Sequence, residues 1–103
     1  MEIKAELSVD TALLTLTLMG KFDYTCHQLF QASYDSIIPA PRRVVLDMLE
    51  VPSVDSSALG MLLLLRTYAG GDEADVSIIN AQPDVYKLLQ TCKFDDLFNL
   101  KPL

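Results

Sequence analysis

Residues that bind metals or cross-link chains are scarce in this sequence, with two cysteines and one histidine among 103 residues. Cys26 and Cys92 are too few for a disulfide scaffold, so a reducing cytosol is the expected compartment. Basic residues are also few, eight against fourteen acids, for a formal charge of −6. A surface that negative repels phosphates, which argues against nucleic acid and anionic membranes as partners and leaves basic or mixed protein surfaces open. Long apolar runs are missing too. The longest, Ala58 to Leu65 with Gly60 inside it, falls far short of the roughly 20 residues a membrane-spanning helix needs. The first ten residues carry three acids and no apolar run, so no secretory signal is expected. No Gly-rich phosphate loop, internal repeat or low-complexity stretch is present.

What the chain does have is apolar residues, 50% of the total against 21% charged. That composition excludes intrinsic disorder, and the length fits one domain, residues 1–103. Ile3, Ala5, Leu7 and Val9 alternate with Glu2, Lys4, Glu6 and Ser8, which predicts a strand with one wet side. Leu14, Leu16 and Leu18 alternate in the same way after Asp10-Thr11, so a β-hairpin is expected. Thr25 and Gln28 have capping-box spacing. Cys26, Leu29, Phe30, Ser33 and Ile37 then form one helix face, ended by Pro39 and Pro41. The run Val44 to Leu49 reads as a central strand buried on both faces. A second helix is expected from Ser56 to about Ala69, stopped by Gly70-Gly71. Val76 to Asn80 reads as a strand. Pro83 opens a third helix whose buried stripe is Val85, Leu88, Leu89 and Cys92. Phe98 to Leu100 closes the pattern as a last strand.

The order β-β-α-β-α-β-α-β implies an α/β fold: a mixed, mostly parallel sheet with packed helices and right-handed crossovers. Sites in such sheets lie at the carboxyl ends of the strands. Two stretches fall there, Gly20-Lys21-Phe22-Asp23 and Val54-Asp55-Ser56-Ser57-Ala58-Leu59-Gly60.

Several chemistries can be weighed on these residues. A Ser-His-Asp triad would need His27 beside Ser56 or Ser57, and no nucleophile-elbow spacing supports it. Cys26 beside His27 lacks the second ligand pair of a metal site, so no metal is expected. A receiver-type phospho-acceptor is set aside because Asp47 sits in mid-strand. Ser56 stands at a helix start, where its hydroxyl suits an N-cap. Leu62, Leu63, Leu64 and Leu65 span about 300° of helix circumference. They cannot all face one sheet, and Leu63 or Leu64 is the expected anchor for a protein partner. Asp23 and Asp55 are expected to crowd the same sheet edge as Ser56.

The stretch Asp55-Ser56-Ser57-Ala58-Leu59-Gly60, between an apolar strand and an apolar helix, resembles the signature of the STAS family. Gly20-Lys21-Phe22-Asp23 is similar to that family's Gly-x-x-Asp after its second strand. The element order also matches over roughly residues 1 to 100. The resemblance implies a binding module and not an enzyme, with no cofactor. It implies an anti-sigma factor antagonist that binds an anti-sigma factor, typically a GHKL-type serine kinase, when unphosphorylated. Ser56 would be the phosphorylated residue, with Ser57 its neighbour and Asp23 close by. A PP2C-type phosphatase would reverse the modification. Two other classes remain: a standalone accessory subunit binding the ATPase of a lipid-transport ABC complex, and a hydrolase using Ser56.

Overall fold

A computed structural model describes residues 1–103. Five strands, β1 (Glu2–Ser8), β2 (Leu13–Met19), β3 (Arg43–Glu50), β4 (Val76–Ala81) and β5 (Asn99–Pro102), form one sheet in the order β1-β2-β3-β4-β5. β1 and β2 pair antiparallel as the expected hairpin, and every other neighbouring pair is parallel. Three helices, α1 (His27–Ala32), α2 (Ser56–Tyr68) and α3 (Pro83–Thr91), fill the crossovers, with one-turn 3-10 segments at Tyr24–Cys26, Gly71–Glu73 and Phe94–Asp96.

A sheet whose strands follow chain order, joined by right-handed crossovers, carries all its helices on one face. Burial follows that rule. Leu14, Leu16 and Leu18 on β2, Val44, Leu46 and Met48 on β3, and Val76 and Ile78 on β4 are buried. The alternate residues Thr15, Thr17, Val45, Asp47, Ser77 and Ile79 stay partly exposed on the open face. The central strand is therefore not buried on both faces. Its apolar run has one inward set and an outward set that ends on the exposed Leu49. Polar bonds line this open face, with the Asn80 amide donating to Asp47 at 3.1 Å and the Asn99 amide to the Ser77 hydroxyl at 3.3 Å.

The first helix differs most from the sequence pattern. It opens as a 3-10 turn at Tyr24 and is regular only from His27 to Ala32. Asp23, not Thr25, caps it, accepting from the Thr25 backbone N–H at 3.0 Å, and the Thr25 hydroxyl is turned onto the same carboxylate. Leu29 and Cys92 are exposed and Leu88 is only partly buried. Cys92 is the C-cap of α3, one residue past its last helical position, Thr91.

A chain of rings fixes α1 against α2. Phe22 packs on Phe30 at 5.0 Å, Phe30 on Tyr34 at 5.7 Å, and Tyr34 on Tyr68 at 4.7 Å between centroids. Aromatic pairs at these spacings add stabilisation beyond their buried area. The Tyr68 hydroxyl, at the end of α2, donates to the Ile37 carbonyl at 2.6 Å. Burial pushes both phenols above their ordinary range, so both stay protonated.

Candidate functional site

The two stretches singled out in the sequence meet at the carboxyl ends of β2 and β3. Phe22 forms a parallel bridge with Val54. Its N–H donates to the Ser53 carbonyl at 3.0 Å, and its carbonyl accepts from the Asp55 N–H at 3.2 Å. The fully buried Phe22 ring anchors this junction from below. Pattern alone assigns Phe22 no role, although an aromatic residue between two polar ones in a loop is the available signal. The junction places Asp23 and Asp55 on adjoining loops, and both carboxylates are partly exposed.

Asp55 caps α2. Its backbone is extended, with φ −107° and ψ −179°, and its carboxylate accepts from the Ala58 N–H at 2.9 Å. Ser56 is thus the first helical residue and not the cap, a shift of one position from the sequence expectation. The consequence is chemical: the Ser56 hydroxyl has no capping bond to give up. The N–H groups of Ser56 and Ser57 belong to the first turn, where the helix supplies no carbonyl partner. Both serines are exposed. Asp23 is held below the usual carboxylate range, chiefly by the Thr25 hydroxyl bond, with further help from the Thr25 N–H and the Cys26 thiol. It therefore remains ionised, and its cap intact, into mild acid. Stability linked to it is present above the ordinary carboxylate pKa and is lost as pH falls through the lowered value.

The four leucines divide evenly. Leu62 and Leu65 are fully buried, whereas Leu63 and Leu64 are 41% and 53% exposed. Helical geometry explains the split. At about 100° per residue, Ala58, Met61, Leu62 and Leu65 cluster on one side, and Ser56, Ser57, Gly60, Leu63 and Leu64 cluster on the other. The two serines and the two exposed leucines therefore share one stripe. Gly60 lies at its centre, and a Cβ added there would meet nothing within 4 Å. An interior helical glycine costs about 1 kcal/mol relative to alanine. Here it leaves the backbone open to approach between the serines and the leucines.

Two exposed residues following the Asp23 loop were not anticipated. Tyr24 is 71% exposed beside Asp23, and Leu29 is exposed on α1. On the other flank a cleft of about 220 Å³ lies between the β3–α2 loop and α3, lined by Pro52, Ser53, Val54, Asp84, Val85 and Leu88. Cys26 is buried, and its thiol donates to the Lys21 carbonyl at 3.3 Å, which accounts for it as a packed residue of the 3-10 turn before α1. No three His, Cys, Asp or Glu side chains converge as a metal site, and no helix is long and apolar enough to cross a membrane.

Removing the Asp55 cap has a defined cost. Asp55→Ala is expected to destabilise the fold by about 1 kcal/mol, lowering Tm by about 4–8 °C for a domain of this size. Asp55→Asn retains an acceptor and should lose much less. Ser56→Ala should leave Tm nearly unchanged. Thermal melts of the three variants check the assignment: a drop on Ser56→Ala with none on Asp55→Ala would return the cap to Ser56.

The arrangement is that of a small α/β domain whose candidate site lies where the β2–α1 loop meets the start of α2. The chain belongs to the STAS domain family, whose model matches residues 3–102. A STAS-domain containing protein of Pseudomonas aeruginosa is 44% identical over 100 residues, covering 97% of this chain and 99% of the relative. Solved structures share the fold at lower identity. The anti-sigma factor antagonist SpoIIAA in its unphosphorylated form matches with a TM-score of 0.70 at 18% identity, covering 86% of this chain and 82% of that one. The phosphorylated form of SpoIIAA from Bacillus gives 0.72 at 17%, covering 96% and 90%. A sulfate transporter family protein from Wolinella succinogenes gives 0.73 at 16%, covering 92% and 81%.

Proposed function

We propose that this chain is an anti-sigma factor antagonist, a binding module without catalytic activity that is switched by phosphorylation of Ser56. The observation that carries the reading is the single exposed stripe on α2. It joins an uncapped, solvent-facing serine at a positive helix end to two exposed leucines about two turns further on. A solved relative in fold exists in unphosphorylated and phosphorylated forms, which supports the same logic here.

In the unmodified state the stripe is uncharged from Ser56 to Leu64 and can dock on a protein surface. Its partner in this reading is an anti-sigma factor of the GHKL serine kinase type. Binding would occupy that factor and free its sigma factor. Phosphorylation adds about −1.5 to −2 charges. The first-turn N–H groups of α2 favour the phosphate in place, while Asp23 and Asp55 repel it. The fold can therefore stay intact while the docking face turns anionic. A PP2C-type phosphatase would restore binding. Ser57, Asp23 and Asp55 frame the acceptor, and Leu63 and Leu64 supply the apolar contact.

Incubation with the kinase that binds the chain and with ATP, followed by site mapping by mass spectrometry, tests the acceptor. Modification is expected at Ser56 and should persist in Ser57→Ala. Modification at Ser57 alone, or at no site, overturns the switch. The chain would then be read as an accessory subunit binding the ATPase of a lipid-transport ABC complex.

A further inference from the structure

The edge of the sheet at β1 carries a pattern that the switch does not use. β1 pairs with β2 along one side and with no strand along the other. All its residues but Ile3 are exposed. Seven residues of open edge offer a row of free N–H and C=O groups, which proteins normally protect with charges, proline or a bulge. Here the only such guards are Glu2, Lys4 and Glu6, all on the open face of the sheet, with Lys4 and Glu6 joined at 3.1 Å.

We propose that β1 is a self-pairing edge: two copies join antiparallel across it, centred on Ala5, into one continuous ten-stranded sheet. The registers differ sharply in charge. Centred on Ala5, Lys4 of each copy faces Glu6 of the other, and Glu2 faces Ser8. Ile3 faces Leu7, which is 47% exposed in the single chain. The small Ala5 meets its own copy at the two-fold axis. A shift of the centre to Lys4 sets Lys4 against Lys4 and Glu2 against Glu6. A shift to Glu6 sets Glu6 against Glu6. Like charges directly opposite destabilise a strand pair, and opposite charges stabilise it. The guards that would repel a foreign strand thus become complementary only to a second copy in one register. That register also keeps faces matched, because odd-numbered residues face odd-numbered ones and the helix layers lie on the same side. β1 is two strands away from β3, so pairing leaves the Ser56 stripe of each copy free.

Sedimentation equilibrium over a concentration series at physiological salt tests the pairing. The wild-type mass should rise from 11.4 kDa toward twice that value. Lys4→Glu and Glu6→Lys each turn two attractive cross-strand pairs into two repulsive ones and should weaken dimerisation about tenfold or more. An equimolar mixture of the two variants restores complementarity. In the mixed dimer a copy with carboxylates at positions 4 and 6 faces a copy with ammonium groups at both, so the two cross-strand pairs are attractive again and the mixture should dimerise. Circular dichroism confirms that each variant is folded. A wild type that stays monomeric up to about 1 mM, the weak end of specific association, overturns the proposal. So does a dimer indifferent to both charge reversals, which would point to the open sheet face or to β5.

Discussion

Replacing Ser56 with aspartate should lower affinity for the proposed anti-sigma partner about tenfold or more, while replacing it with alanine should leave affinity unchanged. The two variants separate charge from structure. Neither touches the cap, which belongs to Asp55, so both should melt close to the wild type. Ser56→Ala adds no charge to the stripe and cannot be switched off. Ser56→Asp places a permanent negative charge at the head of α2, on a face that must lose water to bind. A charge buried without a counter-ion costs several kcal/mol, and each 1.4 kcal/mol is about tenfold in affinity. Aspartate carries less charge than phosphate, so it should weaken binding less than true phosphorylation does. Calorimetric titration against the partner decides the matter. Equal affinities for all three proteins would make Ser56 an ordinary first-turn residue.

Polar replacement of Leu63 and Leu64 together should have a comparable or larger effect. Leu63→Gln/Leu64→Gln is expected to lower partner affinity about thirtyfold or more, since truncating an interface anchor typically costs about 2 kcal/mol or more. Their buried neighbours Leu62 and Leu65 keep α2 on the sheet, so the fold should persist. Leu62→Gln is the informative contrast. It places an amide in the apolar core and should lose stability by several kcal/mol, through the lost apolar packing and the unpaired polar group. Surface plasmon resonance, with a thermal melt of each variant, separates loss of contact from loss of fold. Unchanged affinity in a folded Leu63→Gln/Leu64→Gln protein would move the interface off this helix.

The sequence made much of this structure legible because its patterns were long or redundant. Two alternating runs of apolar and polar residues define the hairpin. The run of four leucines, being wider than one face on a sheet, pointed to apolar surface on α2 beyond what the sheet covers, and the structure shows that Leu63 and Leu64 carry it. That the Asp23 and Asp55 loops lie at one sheet edge followed from both leaving the carboxyl ends of strands; that they meet depends on β2 pairing with β3. Other features turned on differences too small for a pattern to carry. Asp55 and Ser56 are both good caps, and only the backbone geometry decides that the Asp55 carboxylate reaches the Ala58 N–H. In the first helix, Thr25 has capping spacing, but the Asp23 carboxylate takes both the Thr25 amide and its hydroxyl. Val45 and Leu49 make β3 look buried on both faces. Exposure on one side depends on all three crossovers having the same hand, which is a property of the whole sheet. The polar face Glu2, Lys4, Glu6 and Ser8 was visible as alternation, but its meaning for an unpaired edge required knowing that β1 ends the sheet.

The central claim is that charge at Ser56 alone controls docking. Its most direct measurement is a titration of the chemically homogeneous protein phosphorylated at Ser56 and the unmodified protein against the proposed anti-sigma partner, with amide exchange recorded on both free forms. The account predicts a loss of binding beyond that of Ser56→Asp, with exchange protection in β3 and the body of α2 preserved. Equal affinity for the two forms, or binding lost only because α2 unfolds, would contradict it.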